Sequence, residues 1–200
     1  MLAPGGTARG PKGAPMTHHP MKLVILDRDG TINAERDDYV KSVEEWEPLP
    51  GAVEGIARLN HDGWHVVVAT NQSGLGRGLF DMATLNAIHD KMHKALAQVG
   101  GRIDALFFCP HAADSKCDCR KPKPGMFEEI SRRFNMDLKG VPAIGDSLRD
   151  LQAATAMGAI PVLVRTGKGE KTLEAGGLPE GTLVFADLAE AVRHLTTPPA

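Results

Sequence analysis

The sequence predicts an α/β fold in which a parallel sheet is covered by helices on both faces, and three observations support this prediction. Short continuous apolar runs, typical of buried parallel strands, alternate along the chain with segments of helical periodicity. The alternation has the spacing of βαβ units, which cross over with right-handed connections. Several of the apolar runs end abruptly in polar side chains, as strands do where a ligand site lies beyond their carboxyl ends.

Composition and charge narrow the range of functions. The 200 residues suit one domain, and the formal net charge of -2 argues against a nucleic-acid partner or a polybasic contact with membranes. No apolar run approaches the ~20 residues that cross a bilayer, and no secretory signal pattern is present. We therefore expect a cytoplasmic protein with a small-molecule substrate. The lack of an obvious exposed apolar stripe favours a monomer.

The folded domain is expected over residues 21–197. Residues 1–20 are rich in Gly and Pro and show no periodicity. Such a segment cannot bury enough apolar surface to offset its chain entropy, so we expect a disordered extension or a remnant of recombinant expression.

The first strand is predicted over residues 23–26, a short apolar run that is β-branched in its middle. It ends in two carboxylates, Asp27 and Asp29, which an Asp-Gly turn alone would also explain. The irregular stretch over residues 32–50 follows. A loop of this length in a compact domain is usually functional, and we expect it to lie over the Asp27 end of the strand.

The next elements follow from periodicity and from capping residues. Apolar positions at helical spacing predict a helix over residues 51–59, and a second buried run predicts a strand over residues 64–70. Residues 74–78 are glycine-rich without the spacing of a dinucleotide fingerprint, so we expect a mobile loop there. Asp81 can cap the following helix, which carries one apolar stripe up to Val99. Its polar face, which includes His89, is expected to be solvated.

The second half of the chain continues the alternation. Further strands are predicted over residues 103–109, 141–146, 160–164 and 182–185, and helices over residues 124–134, 147–157 and 187–195. Pro124 suits the first turn of the helix over residues 124–134. Gly158 ends the helix over residues 147–157.

Three of the predicted strands end in side chains that suit phosphoryl transfer. Asp27 and Asp29 follow the first strand, Thr70 ends the second, and Asp146 follows a later one with Asp150 one helical turn further on. A carboxylate can attack phosphorus to form an aspartyl-phosphate, which divides one difficult step into two. Because several carboxylates would repel a phosphate dianion, we expect a Mg²⁺ ion among them.

Other residues would complete the reaction. Lys121 and the Thr70 hydroxyl can hold the phosphoryl oxygens. The leaving alkoxide needs a proton, for which Asp29 is the candidate donor. Since a free Asp has a pKa of ~3.9, this role requires its pKa to rise by ~3 units, which corresponds to roughly 4 kcal/mol. Taken singly, each of these residues also has a plain structural explanation, such as a helix N-terminal carboxylate or a solvated lysine.

The three cysteines lie close together with one histidine. Cys109, His111, Cys117 and Cys119 could provide a tetrahedral Cys₃His site for Zn²⁺. A disulfide between Cys117 and Cys119 is the alternative, although bridging residues two apart would strain the loop. We favour zinc because clustered Cys and His in a reducing compartment usually bind metal. With four protein ligands the zinc would be structural, and it would fix the loop that leads to Arg120 and Lys121.

The strand-end residues resemble the four motifs of the haloacid-dehalogenase-like (HAD-like) superfamily. The stretches that carry the resemblance are Asp27-Arg28-Asp29-Gly30-Thr31, Thr70-Asn71-Gln72-Ser73, Lys121, and Gly145-Asp146-Ser147-Leu148-Arg149-Asp150. The resemblance implies a three-layer Rossmann-like fold, with Asp27 as nucleophile and Asp29 as general acid and base. It implies that Asp27, the backbone carbonyl of Asp29 and Asp146 hold Mg²⁺. Ser147 and Asp150 would support this site.

Within that superfamily, the cysteine loop and the residues after it resemble the D-glycero-D-manno-heptose 1,7-bisphosphate 7-phosphatases, which are small, essentially capless and act before lipopolysaccharide core assembly. The histidinol-phosphate phosphatases share this loop and are the close alternative. The resemblance implies that sugar recognition involves Glu35, Arg36, Asp37, Asp38, Tyr39, Asn71, Gln72, Ser73 and Arg120.

Two further hypotheses come from other functional classes. A zinc-stapled binding protein without turnover would keep the fold, but every catalytic position is filled. A phosphomutase must exclude water from its intermediate, and we find no segment able to form the lid that this requires.

Overall fold

The computed structural model describes residues 21–197, so the disordered extension expected over residues 1–20 lies outside the described residues. The described chain forms six strands and seven helices in alternation. The strands are β1 Lys22–Leu26, β2 Trp64–Asn71, β3 Ala105–Cys109, β4 Pro142–Gly145, β5 Ile160–Val164 and β6 Leu183–Phe185. The helices are α1 Ala52–His61, α2 Ser73–Gly76, α3 Met82–Gln98, α4 Gly125–Phe134, α5 Leu148–Ala156, α6 Gly169–Ala175 and α7 Leu188–Thr196.

All six strands form one parallel sheet in the order β3-β2-β1-β4-β5-β6. The first strand therefore lies inside the sheet, where Leu26 pairs with Val68 on one side and with Ile144 on the other. Its apolar sequence is required there because both of its faces are covered. The chain order reverses direction across the sheet at β1, and ligand sites in such sheets lie beyond the strand ends at this point.

Two apolar clusters, one on each face of the sheet, give the fold its three layers. Val24 and Leu26 belong to the cluster that includes side chains of α1, α3 and α7. Leu23 and Ile25 belong to the cluster that includes side chains of α4 and α5. Successive residues of a strand point to opposite faces, so β1 serves both layers. The predicted three-layer α/β fold is thus confirmed, and the described residues contain no inserted cap domain.

The structure differs from the sequence-based expectations in two elements. Residues 74–78 were expected to form a loop, but Ser73–Gly76 is a short helix. The helix Gly169–Ala175 was not predicted, and Gly169 is its one buried residue. A short helix without an apolar stripe leaves no periodic pattern to detect. None of the described helices has the length and hydropathy that crossing a membrane requires.

Candidate active site

The predicted catalytic residues of three strands meet at one edge of the sheet. Because β1 pairs with β2 and with β4, the residues after these strands are neighbours, and the Asp27 amide donates to the Ile144 carbonyl at 2.8 Å. Asp27, Thr70 and Asp146 lie here as expected. Lys121 joins them from the loop before α4, although it is far from all three in the sequence.

Lys121 is the cation at the centre of this group. Its side chain is 2% exposed, and its Nζ lies 3.0 Å from Asp27 Oδ1 and 2.7 Å from Asp150 Oδ1. The same Nζ donates to the Ala69 carbonyl at 2.7 Å. Burial by itself would lower the pKa of Lys121, but Asp150 and Asp27 outweigh it and raise that pKa. The ammonium is therefore held charged and in a fixed position.

The three carboxylates of the group carry more negative charge than Lys121 neutralises. Asp27, Asp146 and Asp150 each offer an oxygen within 4.8 Å of the others. Burial raises the pKa of Asp27 to about 6, although Lys121 opposes the shift. Burial, together with the charges of Asp150 and Asp27, raises the pKa of Asp146 to about 9. Burial also acts to raise the pKa of Asp150, but Lys121 outweighs it and the pKa falls.

This excess of negative charge fits a divalent cation. The donors are carboxylate oxygens, which Mg²⁺ prefers over nitrogen or sulfur ligands. The backbone leaves room around Asp146, because a Cβ on Gly30 or on Gly167 would come within 2.1 Å or 2.2 Å of its Oδ2. The Lys168 amide donates to that same oxygen at 2.7 Å. Asp150, predicted only to support the site, is itself a member of the carboxylate group.

Asp29 lies beside this group in a separate polar contact set. Arg28 Nη2 donates to both of its carboxylate oxygens, at 2.9 and 3.0 Å, and Asn33 Nδ2 and Gln72 Nε2 donate at 3.0 and 2.9 Å. Burial would raise the pKa of Asp29, but Arg28 and these hydrogen bonds outweigh it and lower the pKa. The expected rise in its pKa is therefore wrong for this arrangement, because every contact donates to the carboxylate.

Gln72 links Asp29 to Thr70. Its Nε2 donates both to Asp29 Oδ2 and to Thr70 Oγ1, each at 2.9 Å, while its Oε1 accepts from Arg28 at 3.2 Å. The amide cannot flip without placing its oxygen against a carboxylate. Since the Thr70 hydroxyl accepts from Gln72, its own proton remains available for a ligand oxygen.

A cavity of about 160 Å³ opens over these groups. It is lined by the predicted recognition residues Glu35, Arg36, Asp37, Asn71, Gln72, Ser73 and Arg120, together with Asp27, Asp29 and Thr70. Tyr39, also predicted to line the sugar site, lies on this cavity, as do Val40, Arg149 and Lys168, which were not predicted from the sequence. Asp38 is not among the lining residues. Its side chain is 61% exposed and pairs with Lys41 at 2.5 Å, so its predicted sugar contact is not supported.

Several residues that line the cavity also form hydrogen bonds or ion pairs with other residues of the protein. Asn71 accepts from the Lys121 amide and donates to the Lys121 carbonyl, both at 3.1 Å, so it holds the loop that carries Lys121 against β2. Arg120 Nη1 donates to Ser73 Oγ at 2.6 Å, which aims its guanidinium across the cavity. Glu35 forms an ion pair with Lys168.

Ser147 and Asp150 cap α5 together. Asp150 Oδ2 accepts from the Ser147 amide at 3.0 Å and from the Ser147 hydroxyl at 2.5 Å. This reciprocal cap satisfies donors at the helix start and orients Asp150 towards Lys121. The supporting role predicted for both residues has this physical basis.

The cysteine loop brings its four predicted ligands together. Cys109 Sγ lies 3.7 Å from Cys117 Sγ and 3.6 Å from His111 Nδ1, and Cys119 Sγ lies 3.3 Å from His111 Nδ1. Ligands at ~2.3 Å from a tetrahedral Zn²⁺ ion lie about 3.8 Å apart. All three thiols are free, so the alternative disulfide is absent and the donor set fits zinc.

The sequence did not predict the burial of two residues near Asp29. Arg28 is fully buried between the two motif aspartates, and His89, expected on a solvated face, is 9% exposed and contacts Arg28 at 3.2 Å. His89 lies four residues before His93 on α3, and their spacing alone does not tell which one faces the core. The position of His89 directly after the apolar Ile88 did not show that His89 is buried either.

This chain is similar to known families and to solved structures. Residues 22–147 match the family described as "Polynucleotide kinase 3 phosphatase", and residues 118–191 match the family described as "HAD-hyrolase-like". A protein of Bordetella bronchiseptica named D-glycero-beta-D-manno-heptose-1,7-bisphosphate 7-phosphatase is 63% identical over 175 residues, which cover 88% of this chain and 98% of the relative. A protein of the same name from Pseudomonas putida is 54% identical over 175 residues, covering 88% and 99%.

Two crystal structures are similar over the same range. The D,D-heptose 1,7-bisphosphate phosphatase from B. bronchiseptica, complexed with magnesium and phosphate, has a TM-score of 0.87 at 63% identity and covers 88% of this chain and 98% of its own. The corresponding enzyme from Burkholderia thailandensis has a TM-score of 0.72 at 56% identity, covering 88% and 99%.

Proposed function

The chain belongs to the D-glycero-beta-D-manno-heptose-1,7-bisphosphate 7-phosphatase family of HAD-like hydrolases, and from this premise we propose how its site acts. It is a phosphatase that removes the 7-phosphate of D-glycero-D-manno-heptose 1,7-bisphosphate. The contact of Lys121 with Asp27 is the structural observation that best supports this function, because it puts a phosphate-binding cation beside a carboxylate nucleophile.

The first step transfers the phosphoryl group to the protein. An Asp27 oxygen attacks phosphorus, the bond between phosphorus and O7 breaks, and the electron pair leaves with O7. Lys121 and the Thr70 hydroxyl hold the phosphoryl oxygens, whose charge is greatest in the transition state. Asp29 gives a proton to O7, so that the sugar leaves as an alcohol. Because its contacts lower the pKa of Asp29 in the unliganded site, it takes up this proton when the negative phosphate of the substrate lies beside it and raises that pKa.

The second step returns the protein to its starting state. Water attacks the aspartyl-phosphate, its proton goes to the Asp29 carboxylate, and phosphate leaves Asp27. Asp27, Asp146 and the Asp29 backbone carbonyl would hold Mg²⁺, and bound Mg²⁺ supplies charge neutralisation for the phosphate and the carboxylates. The relative from B. bronchiseptica was crystallised with magnesium and phosphate.

Zinc has a different role from magnesium. Cys109, His111, Cys117 and Cys119 would occupy all four positions of a tetrahedral ion, which leaves no open position for substrate. Arg120 follows the last of these ligands directly, and Lys121 comes next. We therefore assign zinc the task of fixing the loop that supplies both side chains.

We further propose that the protein is a cytoplasmic monomer that acts in the synthesis of activated heptose for lipopolysaccharide core. The small cavity and its acidic lining residues Glu35 and Asp37 support a sugar phosphate rather than a nucleic acid as partner. Arg120 and Arg36 would contact the substrate, together with Ser73.

Parallel kinetics with heptose 1,7-bisphosphate and histidinol phosphate test the substrate. We expect kcat/KM to be at least about 100-fold higher for the heptose, which corresponds to ~2.7 kcal/mol of discrimination. A preference for histidinol phosphate would overturn the assignment. Asp27→Asn provides the control, because phosphate release that persists in this variant would mean that Asp27 is not the nucleophile.

A further inference from the structure

Arg28 is a fully buried cation next to the reacting groups, yet it is not among the residues that line the substrate cavity. Its guanidinium makes no contact with the carboxylates of Asp27, Asp146 or Asp150 in the described structure. Its Nε and Nη2 instead form a fork on Asp29, with distances of 3.2 Å and 2.9 Å to Oδ1. A planar fork of this kind fixes the orientation of a carboxylate as well as its position.

The position of Arg28 is itself set from two sides. Its Nη1 lies 3.2 Å from His89 Nε2, and its Nη2 donates to Gln72 Oε1 at 3.2 Å. Since a guanidinium has donors only, the His89 nitrogen accepts, which requires the other ring nitrogen to carry the proton. Burial and the adjacent Arg28 lower the pKa of His89 to about 4, so the ring is neutral and able to accept.

We propose that Arg28 and His89 form a positioning pair for Asp29, with His89 acting through Arg28 rather than on the substrate. This inference rests on the proposed phosphatase function and adds to it a residue outside the four motifs. The pair connects the acid-base carboxylate to α3, a helix that carries no other residue of the site. His89 packs against Phe108 of β3 with a ring-centroid distance of 6.4 Å, which limits its freedom to turn away.

The chemical consequence concerns the leaving group. When Asp29 gives its proton to O7, it becomes a carboxylate, and Arg28 stabilises that product form through both of its oxygens. When water attacks in the second step, the same fork holds the carboxylate that accepts the proton. Loss of the pair therefore slows proton transfer to a poor leaving group, but it leaves the attack of Asp27 on phosphorus intact.

The test compares two substrates that differ in their need for a proton. The O7 alkoxide of the heptose is a poor leaving group and requires a proton. The leaving group of 4-nitrophenyl phosphate is a stable phenolate that requires no proton. Single-turnover rates of alcohol or phenolate release, measured on the full chain with Mg²⁺ and zinc bound, report the first step alone. The variants are His89→Leu, which removes the acceptor, His89→Gln, which can restore it through Oε1, and His93→Leu as an exposed control on the same helix.

We expect His89→Leu to slow heptose release by about 10- to 100-fold, a fraction of the 10²–10⁴ that general acid catalysis contributes. Nitrophenolate release should change by less than about 3-fold, and His89→Gln should recover most of the heptose rate. His93→Leu should leave both rates and the melting temperature unchanged. An unchanged heptose rate in His89→Leu would overturn the proposal, and so would an equal loss with both substrates, since that pattern marks a purely structural role.

Failure of the proposed function gives a different result. A wild-type protein that cleaves 4-nitrophenyl phosphate but not heptose bisphosphate would have another natural substrate. The comparison of His89 variants would then be made on the alkyl phosphate that is turned over. A wild-type protein without activity on either phosphate would contradict the phosphatase assignment itself.

Discussion

Lys121 Nζ lies 3.0 Å from Asp27 Oδ1 and 2.7 Å from Asp150 Oδ1, two of the three carboxylates that form one buried group with Asp146. The contact with Asp27 affects both the pKa of Asp27 and the binding of phosphate. It opposes the rise in the pKa of Asp27, the proposed nucleophile, and it places a cation where phosphoryl oxygens would bind. Lys121 and a bound metal ion would therefore both offset the negative charge of the group.

Lys121→Met should lower kcat by about 10²–10³, the usual cost of removing one donor to transition-state charge. It should also lower the free energy of unfolding by about 3–5 kcal/mol, because breaking a buried ion pair leaves its partners uncompensated. Urea unfolding with and without Mg²⁺ measures the second effect, and saturating Mg²⁺ should recover part of the loss. The matched control is Lys123→Met, since Lys123 is 50% exposed and pairs with Asp118. Equal effects of the two substitutions would contradict the role of Lys121.

Gly30→Ala should abolish Mg²⁺ binding. A Cβ at this position would lie 2.1 Å from Asp146 Oδ2, and the residue has a φ of +80° that disfavours any side chain. Gly63 gives a matched control, because it has a φ of +82° but no atom within 4 Å of its Cβ position. Both alanine variants should lose about 1 kcal/mol of stability from backbone strain. Only Gly30→Ala should fail to bind Mg²⁺ in calorimetric titration, and tight binding by this variant would refute the geometry assigned to Asp146.

Cys117→Ser should release zinc and reduce activity without unfolding the sheet. The cysteine loop supplies Arg120 and Lys121, so its loosening misplaces both side chains, and small displacements can cost about 100-fold in rate. Zinc content by atomic emission and turnover of heptose bisphosphate should therefore fall together. Lys116→Ala, an exposed position in the same loop, should alter neither. A zinc-free Cys117→Ser protein with full activity would show that the metal does not hold the active-site loop.

Arg120→Ala should raise KM for heptose bisphosphate by about 10-fold, or ~1.4 kcal/mol, with little change in kcat. Its guanidinium lines the cavity and is held by the Ser73 hydroxyl at 2.6 Å. Ser73→Ala should produce a smaller rise in KM, because Arg120 would remain present but less well placed. Steady-state kinetics on both variants check this order, and the reverse order would mean that Ser73 contributes more to substrate binding than Arg120 does.

The sequence predicted those parts of the site that depend on local pattern. β1 is a continuous apolar run followed directly by Asp27 and Asp29, so strand and chemistry are adjacent in the chain. Lys121 could be proposed from the sequence as a cation for the phosphoryl oxygens, but its contact with Asp27 could not be predicted, since it is made across the fold. The candidate zinc site could be recognised from the sequence for the opposite reason, because Cys109, His111, Cys117 and Cys119 all lie in one short segment.

The contacts of Arg28 and His89 could not be predicted in this way. A basic residue between two aspartates is compatible with an exposed or a buried side chain, and only tertiary packing decides between them. Helix α3 presents His89 to the interior and His93 to solvent, although both have the same chemistry and nearly the same helical phase. The lowered pKa of Asp29 has the same origin, since it depends on donors that reach it from Asn33 and Gln72.

Magnesium should stabilise the protein increasingly as the pH rises. Burial raises the pKa of Asp27 to about 6 and that of Asp146 to about 9 in the metal-free protein. Between the unfolded value of 3.8 and these folded values, the folded state binds more protons than the unfolded state. The free energy of unfolding therefore falls as the pH rises through this window. Because Mg²⁺ binds the deprotonated carboxylates, its contribution grows over the same range.

Thermal unfolding between about pH 6 and about pH 9 measures this linkage. The protein should be dialysed free of Mg²⁺ with its zinc retained, and then compared at each pH with and without one fixed Mg²⁺ concentration. That concentration is set to 100 times the Kd at the alkaline end, where binding contributes about 2.7 kcal/mol. The gain in melting temperature should be several degrees at the alkaline end, at about 2–4 °C per kcal/mol, and smaller near pH 6. Asp146→Asn should flatten the metal-free profile. A gain that is constant with pH would mean that protons and Mg²⁺ do not compete for these carboxylates.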